Sequence, residues 1–326
     1  MSSSVPKILL GIGDESPEST VRVPPRSEGP LIWRLGGVFW MVRPHQWVKN
    51  VFVLAPVVFA KEIFERILLV KAASAFVLFC LIAGSVYALN DLADVDADRH
   101  HPAKRYRPIA SGRVPVSWVL PIVVTLVAGS LLAASFINGW FAGVLAVYFV
   151  ENIAYTKKLK HVAYVDVACI AFGFVLRVLA GGFATGITIS SYLIACTALL
   201  ALFLGFGKRR HEFSANSRQG RQRIALEYYS RGGIDVALTL TALATVAMYL
   251  AYTLDEHTRA FFNSEWLWTS TVFVVLAMGR FLFLVRSRPK AESPTQEILS
   301  DGPFVAIMMA WVVVVIWVVY HLQPVG

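Results

Sequence analysis

The chain is predicted to fold as an all-α, polytopic membrane protein, and three observations predict it. Hydrophobic residues make up 56% of its 326 residues, and the mean hydropathy is +0.60. Apolar stretches of roughly 17 to 23 residues recur along its length, each long enough to cross a hydrocarbon core of about 30 Å as a helix. Basic residues gather in every second connection between those stretches.

Nine spans are expected, at roughly 45–61, 69–91, 115–136, 138–155, 163–183, 188–207, 233–253, 266–285 and 303–321. The first is the weakest, because Arg43-Pro44-His45-Gln46-Trp47-Val48-Lys49-Asn50 interrupts its start. Residues 1–34, rich in Ser, Pro and Glu, read as a disordered N-terminal tail with no signal-peptide core, and residues 35–326 as a single transmembrane catalytic domain.

Orientation follows from the positive-inside rule. Connections 92–113, 156–161, 207–223 and 286–290 hold seventeen Lys and Arg, whereas the alternate connections hold Lys61, Arg66, Lys71 and Arg259. The basic connections, and with them the N-terminus, are therefore expected in the cytoplasm, in a multi-pass protein of the plasma membrane. The net charge of +9 sits in short loops rather than on a separate domain, which argues against nucleic acid and for anionic lipid or a polyanionic substrate. Cys80, Cys169 and Cys196 all lie in apolar spans and are odd in number, so neither a disulfide framework nor a thiolate metal site is expected.

The most informative segment closes the second span: Asn90-Asp91-Leu92-Ala93-Asp94-Val95-Asp96-Ala97-Asp98. Four aspartates at mid-bilayer would cost on the order of 10 kcal/mol, so they belong at the membrane surface or in a wet cavity. Tyr87, Asn90, Asp91, Asp94 and Asp98 follow at three- and four-residue steps and project from one helical face, while Asp96 falls off it into solvent. Oxygen ligands without His or Cys suit Mg2+, which takes one or two carboxylates and completes its shell with water and substrate phosphate. The implied substrate is a diphosphate.

Cations flank this run. Lys104, Arg105 and Arg107 follow it in a proline-stiffened loop, and Tyr155, Lys157 and Lys160 lie in the next basic connection. Asp166, Gly173 and Arg177 recur over three helical turns, placing an acid and an intramembrane arginine on one face. Lys208, nearest the membrane in the third basic loop, is the residue there best placed for phosphate, whereas Arg218, Arg221 and Arg223 read as solvated. Lys49 sits at the membrane level of the acidic run. His100 and His101 point different ways on a helix and are not expected to bind metal.

Asn90-Asp91-x-x-Asp94-x-x-x-Asp98 resembles the first aspartate-rich motif of the UbiA-type intramembrane prenyltransferase superfamily, in its place after the second span. The resemblance covers about residues 40–322 and implies a bundle of nine helices whose cavity opens sideways to lipid. Within the superfamily, three stretches are similar to the phosphoribosyl-transferring branch: 43–50, His101-Pro102-Ala103-Lys104-Arg105-Tyr106-Arg107-Pro108 running on to Gly112, and Leu159-Lys160-His161 leading to Asp166. That likeness implies 5-phosphoribosyl 1-diphosphate as donor, a long polyprenyl phosphate such as decaprenyl phosphate as acceptor, and a product feeding the arabinose donor of a cell wall. Aromatic-acceptor members carry a second DxxxD motif after the sixth span, where this chain has Lys208-Arg209-Arg210-His211-Glu212.

The resemblance also implies roles. Asn90, Asp94 and Asp98, with Asp91, would hold Mg2+ on the donor diphosphate, and Lys104, Arg105, Arg107 and Tyr87 would grip its remaining oxygens. Lys157, Lys160, Arg177 and Lys208, with Lys49 and Tyr155, would take the ribose 5-phosphate or the acceptor phosphate, and Asp166 would orient a ribose hydroxyl or Lys160. The alternative is an aromatic-acceptor prenyltransferase using the same acids on a prenyl diphosphate; a transporter or channel is the distant one. Oligomeric state is left open by the sequence.

Overall fold

The structure is a computed structural model that describes residues 29–62, 64–216, 228–287 and 301–321, and among these the secondary structure is helical throughout, without strands. The long helices are α3 (Arg66–Ala93), α5 (Val116–Ile137), α6 (Gly139–Lys157), α7 (Val165–Thr185), α8 (Ser191–Asn216), α9 (Arg231–Leu254), α11 (Thr271–Ser287) and α12 (Gly302–His321). Shorter ones are α1 (Leu31–Met41), α2 (Ala55–Phe59), α4 (Val95–His100) and α10 (Glu256–Phe262). Six helices are long and apolar enough to cross a membrane: α3, α5, α7, α8 over Ser191–Phe213, α9, and α11 together with the 3-10 turn at Leu267–Ser270. Twenty-two residues, as in α5, extend about 33 Å.

Local chemistry sets the helix ends. Asn138 Oδ1 accepts from the N–H groups of Trp140 and Phe141 at 2.8 and 3.3 Å, capping α6 directly after α5 ends and producing a tight hairpin. Ser230 caps α9 through Gly233 N–H at 3.0 Å. Gly186, at φ +78°, ends α7 in the left-handed conformation that glycine adopts at least cost.

Two layers of apolar packing carry the bundle. Phe79, Phe141, Leu145, Tyr148 and Leu176 join α3, α6 and α7. Phe203, Phe206, Ile234, Leu238 and Phe281 join α8, α9 and α11.

The first expected span, 45–61, is helical but not a regular α-helix: a 3-10 helix over Pro44–Leu54, set off from α1 by Arg43 at φ +52°, runs directly into α2, and the segment reaches from Arg43 beside Asp91 to Lys61, whose Nζ donates to the Phe261 carbonyl at 3.4 Å. Two glycines let this segment lie against the bundle. A Cβ on Gly181 of α7 would stand 1.9 Å from the Val53 carbonyl oxygen, and one on Gly84 of α3 would stand 3.0 Å from Val42 Cα. The N-terminal boundary also shifts, since α1 begins at Leu31, inside the stretch assigned to the tail. Residues 1–28, and the 217–227 segment with Arg218, Arg221 and Arg223, lie outside the described residues.

Candidate active site

The acidic run is almost one helix. α3 ends at Ala93 and α4 starts at Val95, with Asp94 at φ −98°, ψ 8° between them. The helical spacing survives the break, because Asp94 N–H donates to the Asn90 carbonyl at 3.0 Å and Asp98 N–H to the Asp94 carbonyl at 2.8 Å. Asp91 and Asp98, two turns apart, are 3% and 2% exposed and converge on one nitrogen: Arg107 Nη1 lies 2.9 Å from Asp91 Oδ1 and 2.6 Å from Asp98 Oδ2. Arg43 Nη2 adds a 2.5 Å contact to Asp91, and Lys104 Nζ stands 3.9 Å from Asp98. The Arg43 guanidinium also lies 5.1 Å over the Tyr87 ring.

Asp94 is exposed and Asn90 half-buried, and among the described residues neither side chain has a protein partner. Asp96 is solvated, with Arg99 at 3.0 Å. The cluster thus divides into two buried acids neutralised by arginine and two uncommitted oxygen-bearing side chains on the same turn. No group of three or more His, Cys, Asp or Glu converges as a metal site among the described residues. The donor set nonetheless fits Mg2+, whose shell asks the protein for one or two carboxylates and leaves the rest to water and phosphate. His101 Nδ1 accepts from the Ala103 and Lys104 N–H groups, both at 3.2 Å, so it serves the loop rather than a metal.

Two of the expected site residues meet protein partners in this structure. The first, Asp166, is fully buried. Arg209 Nε lies 2.6 Å from Oδ2, while Tyr229 OH donates to Oδ1 at 2.6 Å and Val167 N–H at 2.9 Å. Arg209 pairs in addition with Glu212, and Tyr229 OH accepts from Tyr164 N–H at 2.7 Å. Burial and the hydrogen bond to Asp166 hold the Tyr229 phenol above its ordinary range, so it stays a donor. This network ties the start of α7 to the end of α8 and to the chain entering α9; Asp166 Oδ1 takes both hydrogen bonds, while Oδ2 has the charge contact with Arg209 and no hydrogen bond among the described residues.

Arg177 is the second of these residues. Each of its nitrogens bonds to the protein: Nε to Asn50 Oδ1 at 2.9 Å, Nη1 to the Gly173 carbonyl at 2.7 Å and Nη2 to Tyr148 OH at 3.0 Å. It is part of the wall, and it and Asp166 engage different neighbours although they share a helix.

The remaining expected cations stand around the same end of the bundle. Lys157 is exposed at the end of α6 and Lys160 half-buried in the 3-10 turn Leu159–His161. Arg105 Nη2 turns to Tyr106 OH at 2.8 Å. Tyr155 lies in the field of Arg209, and Lys208 Nζ reaches Glu212 at 4.0 Å. Lys49 feels the charges of Lys208, Arg177 and Arg43, and it borders a cavity of about 210 Å³ between the 3-10 segment, α7 and α8. Reading the sequence missed Arg43 and Asn50 as individual residues, and also Arg209 and Tyr229. An arginine and an asparagine at the interrupted start of the first span were the available signal for the first pair; local spacing carries none for the second.

An all-helical membrane bundle with buried acids, uncommitted oxygen ligands and a ring of cations at one end defines a class of intramembrane proteins that handle phosphorylated substrates. Residues 51–301 match the UbiA prenyltransferase family, and the chain belongs to that family. The chain is similar to the decaprenyl-phosphate phosphoribosyltransferase of Corynebacterium glutamicum, with 35% identity over 290 residues covering 87% of each chain. It is likewise similar to the protein of that name from Mycobacterium tuberculosis, with 35% identity over 286 residues covering 86% of this chain and 93% of the relative. In fold it matches a UbiA homolog from Archaeoglobus fulgidus solved with DMAPP and Mg2+, with a TM-score of 0.62 and 18% identity, covering 87% of this chain and 99% of the other.

Proposed function

We propose that the protein transfers 5-phosphoribose from 5-phosphoribosyl 1-diphosphate to a long polyprenyl phosphate such as decaprenyl phosphate, releasing diphosphate. The observation that carries this reading is the 35% identity to decaprenyl-phosphate phosphoribosyltransferases across 87% of both chains. The site agrees with it, because Lys49, Lys104, Arg105, Lys157, Lys160 and Lys208 exceed what one diphosphate needs and suit two phosphate-bearing substrates. An aromatic acceptor would offer these cations nothing to neutralise.

Asn90 and Asp94, with the Asp98 carboxylate beside them, are the groups that would hold Mg2+, which when bound neutralises the donor diphosphate and eases its departure. Asp91 and Arg107 fix the geometry of that turn. Lys104, Arg105 and Tyr87 border the position of the leaving diphosphate. Lys157 and Lys160 take the ribose 5-phosphate on the opposite rim. The acceptor phosphate is anionic at neutral pH and attacks the anomeric carbon without a protein base, so the chain contributes positioning and charge compensation. The active end faces the cytoplasm, as the distribution of Lys and Arg requires, and the product is a lipid-linked precursor of the arabinose donor for the cell wall.

The test is direct. Purified protein with Mg2+ receives either labelled 5-phosphoribosyl 1-diphosphate and polyprenyl phosphate, or a prenyl diphosphate and an aromatic acid. Labelled, alkali-stable lipid phosphate in the first mixture alone is the expected result; product only in the second overturns the reading.

A further inference from the structure

The 3-10 helix at the start of the first expected span, Pro44–Leu54, is fastened at two points. At its start, Arg43 reaches Asp91. Near its middle, the Asn50 amide, 2% exposed, is held from both sides: Oδ1 accepts from Arg177 Nε at 2.9 Å and Nδ2 donates to Cys80 Sγ at 3.1 Å. Arg177 is itself enclosed by aromatic rings, with Phe79, Tyr148 and Phe174 centred 5.0 to 5.1 Å from its guanidinium carbon. Its hydrogen bonds are all to neutral groups, and among the described residues it forms no ion pair. A buried arginine bonded to neutral groups and ring faces, with the half-buried Glu151 carboxyl in its field, retains positive potential for what lies beside it.

Lys49 lies beside it. The adjoining residue of the clasped segment carries its ammonium into the joint field of Lys208, Arg177 and Arg43. Arg43 is answered by Asp91 and Lys208 lies 4.0 Å from Glu212, which leaves Lys49 and Arg177 as the two whose repulsion an anion between them would relieve. Lys49 is also the charged member of a cavity whose walls are apolar, among them Val48, Phe52, Phe174, Leu200 and Leu204. Phe174 belongs to both structures, since it lines the cavity and covers Arg177. A head group that is anionic and a body that is hydrocarbon describe a lipid phosphate, not a phosphosugar.

We propose that Asn50 and Arg177 are positioning residues for the acceptor: their clasp holds the 3-10 segment so that Lys49, with Lys208, receives the lipid phosphate while the first isoprene units occupy the apolar cavity. This rests on the function proposed above in taking the lipid phosphate as acceptor, and it separates the cations of the acceptor from those of the donor.

The test uses the full chain in lipid nanodiscs with Lys49→Ala, Asn50→Ala and the double variant. Each single variant is expected to raise KM for polyprenyl phosphate about tenfold and leave KM for 5-phosphoribosyl 1-diphosphate within twofold. The double variant is expected to be no worse than Lys49→Ala, because a misplaced lysine and an absent one lose the same contact. A purely structural role for Asn50 would instead move both KM values and multiply with Lys49→Ala, and that result overturns the proposal. So does a rise confined to the donor KM. Should Asn50→Ala not fold, Asn50→Asp, which keeps an oxygen for Arg177 but neutralises it and adds negative charge beside Lys49, takes its place and is expected to raise the acceptor KM while sparing the donor KM. Direct binding of polyprenyl phosphate, read by thermal shift, separates the two readings: Lys49-dependent binding without any phosphoribosyl transfer removes the proposed function alone, whereas binding indifferent to Lys49 removes this inference alone.

Discussion

Asp166 was expected from the sequence to touch substrate, and the structure makes it a buried strut, so Asp166→Asn separates the two. The substitution keeps shape and one carbonyl acceptor for Tyr229 OH but removes the charge that faces Arg209, whose side chain is 1% exposed. Breaking a buried ion pair by neutralising one partner costs about 3 to 5 kcal/mol. Glu212 still pairs with Arg209, which brings the expected loss to the lower end, about 3 kcal/mol. For a chain of this size that corresponds to roughly 4 °C in Tm. Thermal unfolding of the detergent-solubilised protein reads the loss, and turnover well below the new Tm should remain within about threefold of wild type. Replacing both partners, Asp166→Leu with Arg209→Met, should recover a large part of the stability, since the desolvation cost of both charges disappears with them. An Asp166→Asn protein with unchanged Tm and turnover reduced a thousandfold would refute the structural argument and restore the acid to catalysis.

The acidic turn should split the same way in reverse. Asp94→Ala removes an exposed side chain without a protein partner among the described residues, so it should abolish phosphoribosyl transfer with less than about 1 kcal/mol of stability change, read by turnover and Tm together. Asp98→Ala should cost both, because it leaves Arg107 and Lys104 facing each other across a buried site. Lys160→Ala should raise KM for the phosphoribosyl donor about tenfold and spare the acceptor, the mirror image of Lys49→Ala. Gly181→Val should displace the 3-10 segment from α7, since even a Cβ there meets the Val53 carbonyl at 1.9 Å, and a fall in both Tm and acceptor affinity is the expected readout.

How far the sequence carried depends on the range of the interaction. Hydropathy windows located the long helices because a span needs only its own residues to be apolar, and the edges of α5, α7 and α9 fall within two residues of expectation. At the first span the same windows found a helical segment but not its type: Val48, Val51, Phe52 and Val53 gave an apolar average, and the average does not distinguish the 3-10 helix over Pro44–Leu54 from an α-helix. Spacing likewise revealed the acidic face, since Asn90, Asp94 and Asp98 are linked through consecutive backbone hydrogen bonds. What spacing could not reveal is which charge answers which. Arg43 meets Asp91 across 48 residues, Tyr229 meets Asp166 across 63 and Arg177 meets Asn50 across 127. For that reason Asp166 and Arg177 looked available in the sequence and are committed in the fold.

Those long-range contacts suggest why the 3-10 helix persists. A 3-10 helix bonds its own backbone, but with poorer geometry than an α-helix, and runs of eleven residues are uncommon. Side chains from elsewhere support this one, Asp91 at its start through Arg43 and Arg177 at its middle through Asn50, with Trp47 Nε1 donating to the Val42 carbonyl at 3.3 Å in between. Each clasp joins the segment to a helix that also forms the site: α3 carries the acids and α7 lines the apolar cavity. Lys49 is therefore placed relative to both substrates by contacts that do not involve it, and neutralising Lys49 should leave the segment folded while weakening either clasp should not. Limited proteolysis of Lys49→Ala and Asn50→Ala proteins measures that difference: faster cleavage between residues 43 and 61 in the second variant only is expected, and equal protection in both would mean that the turns hold themselves.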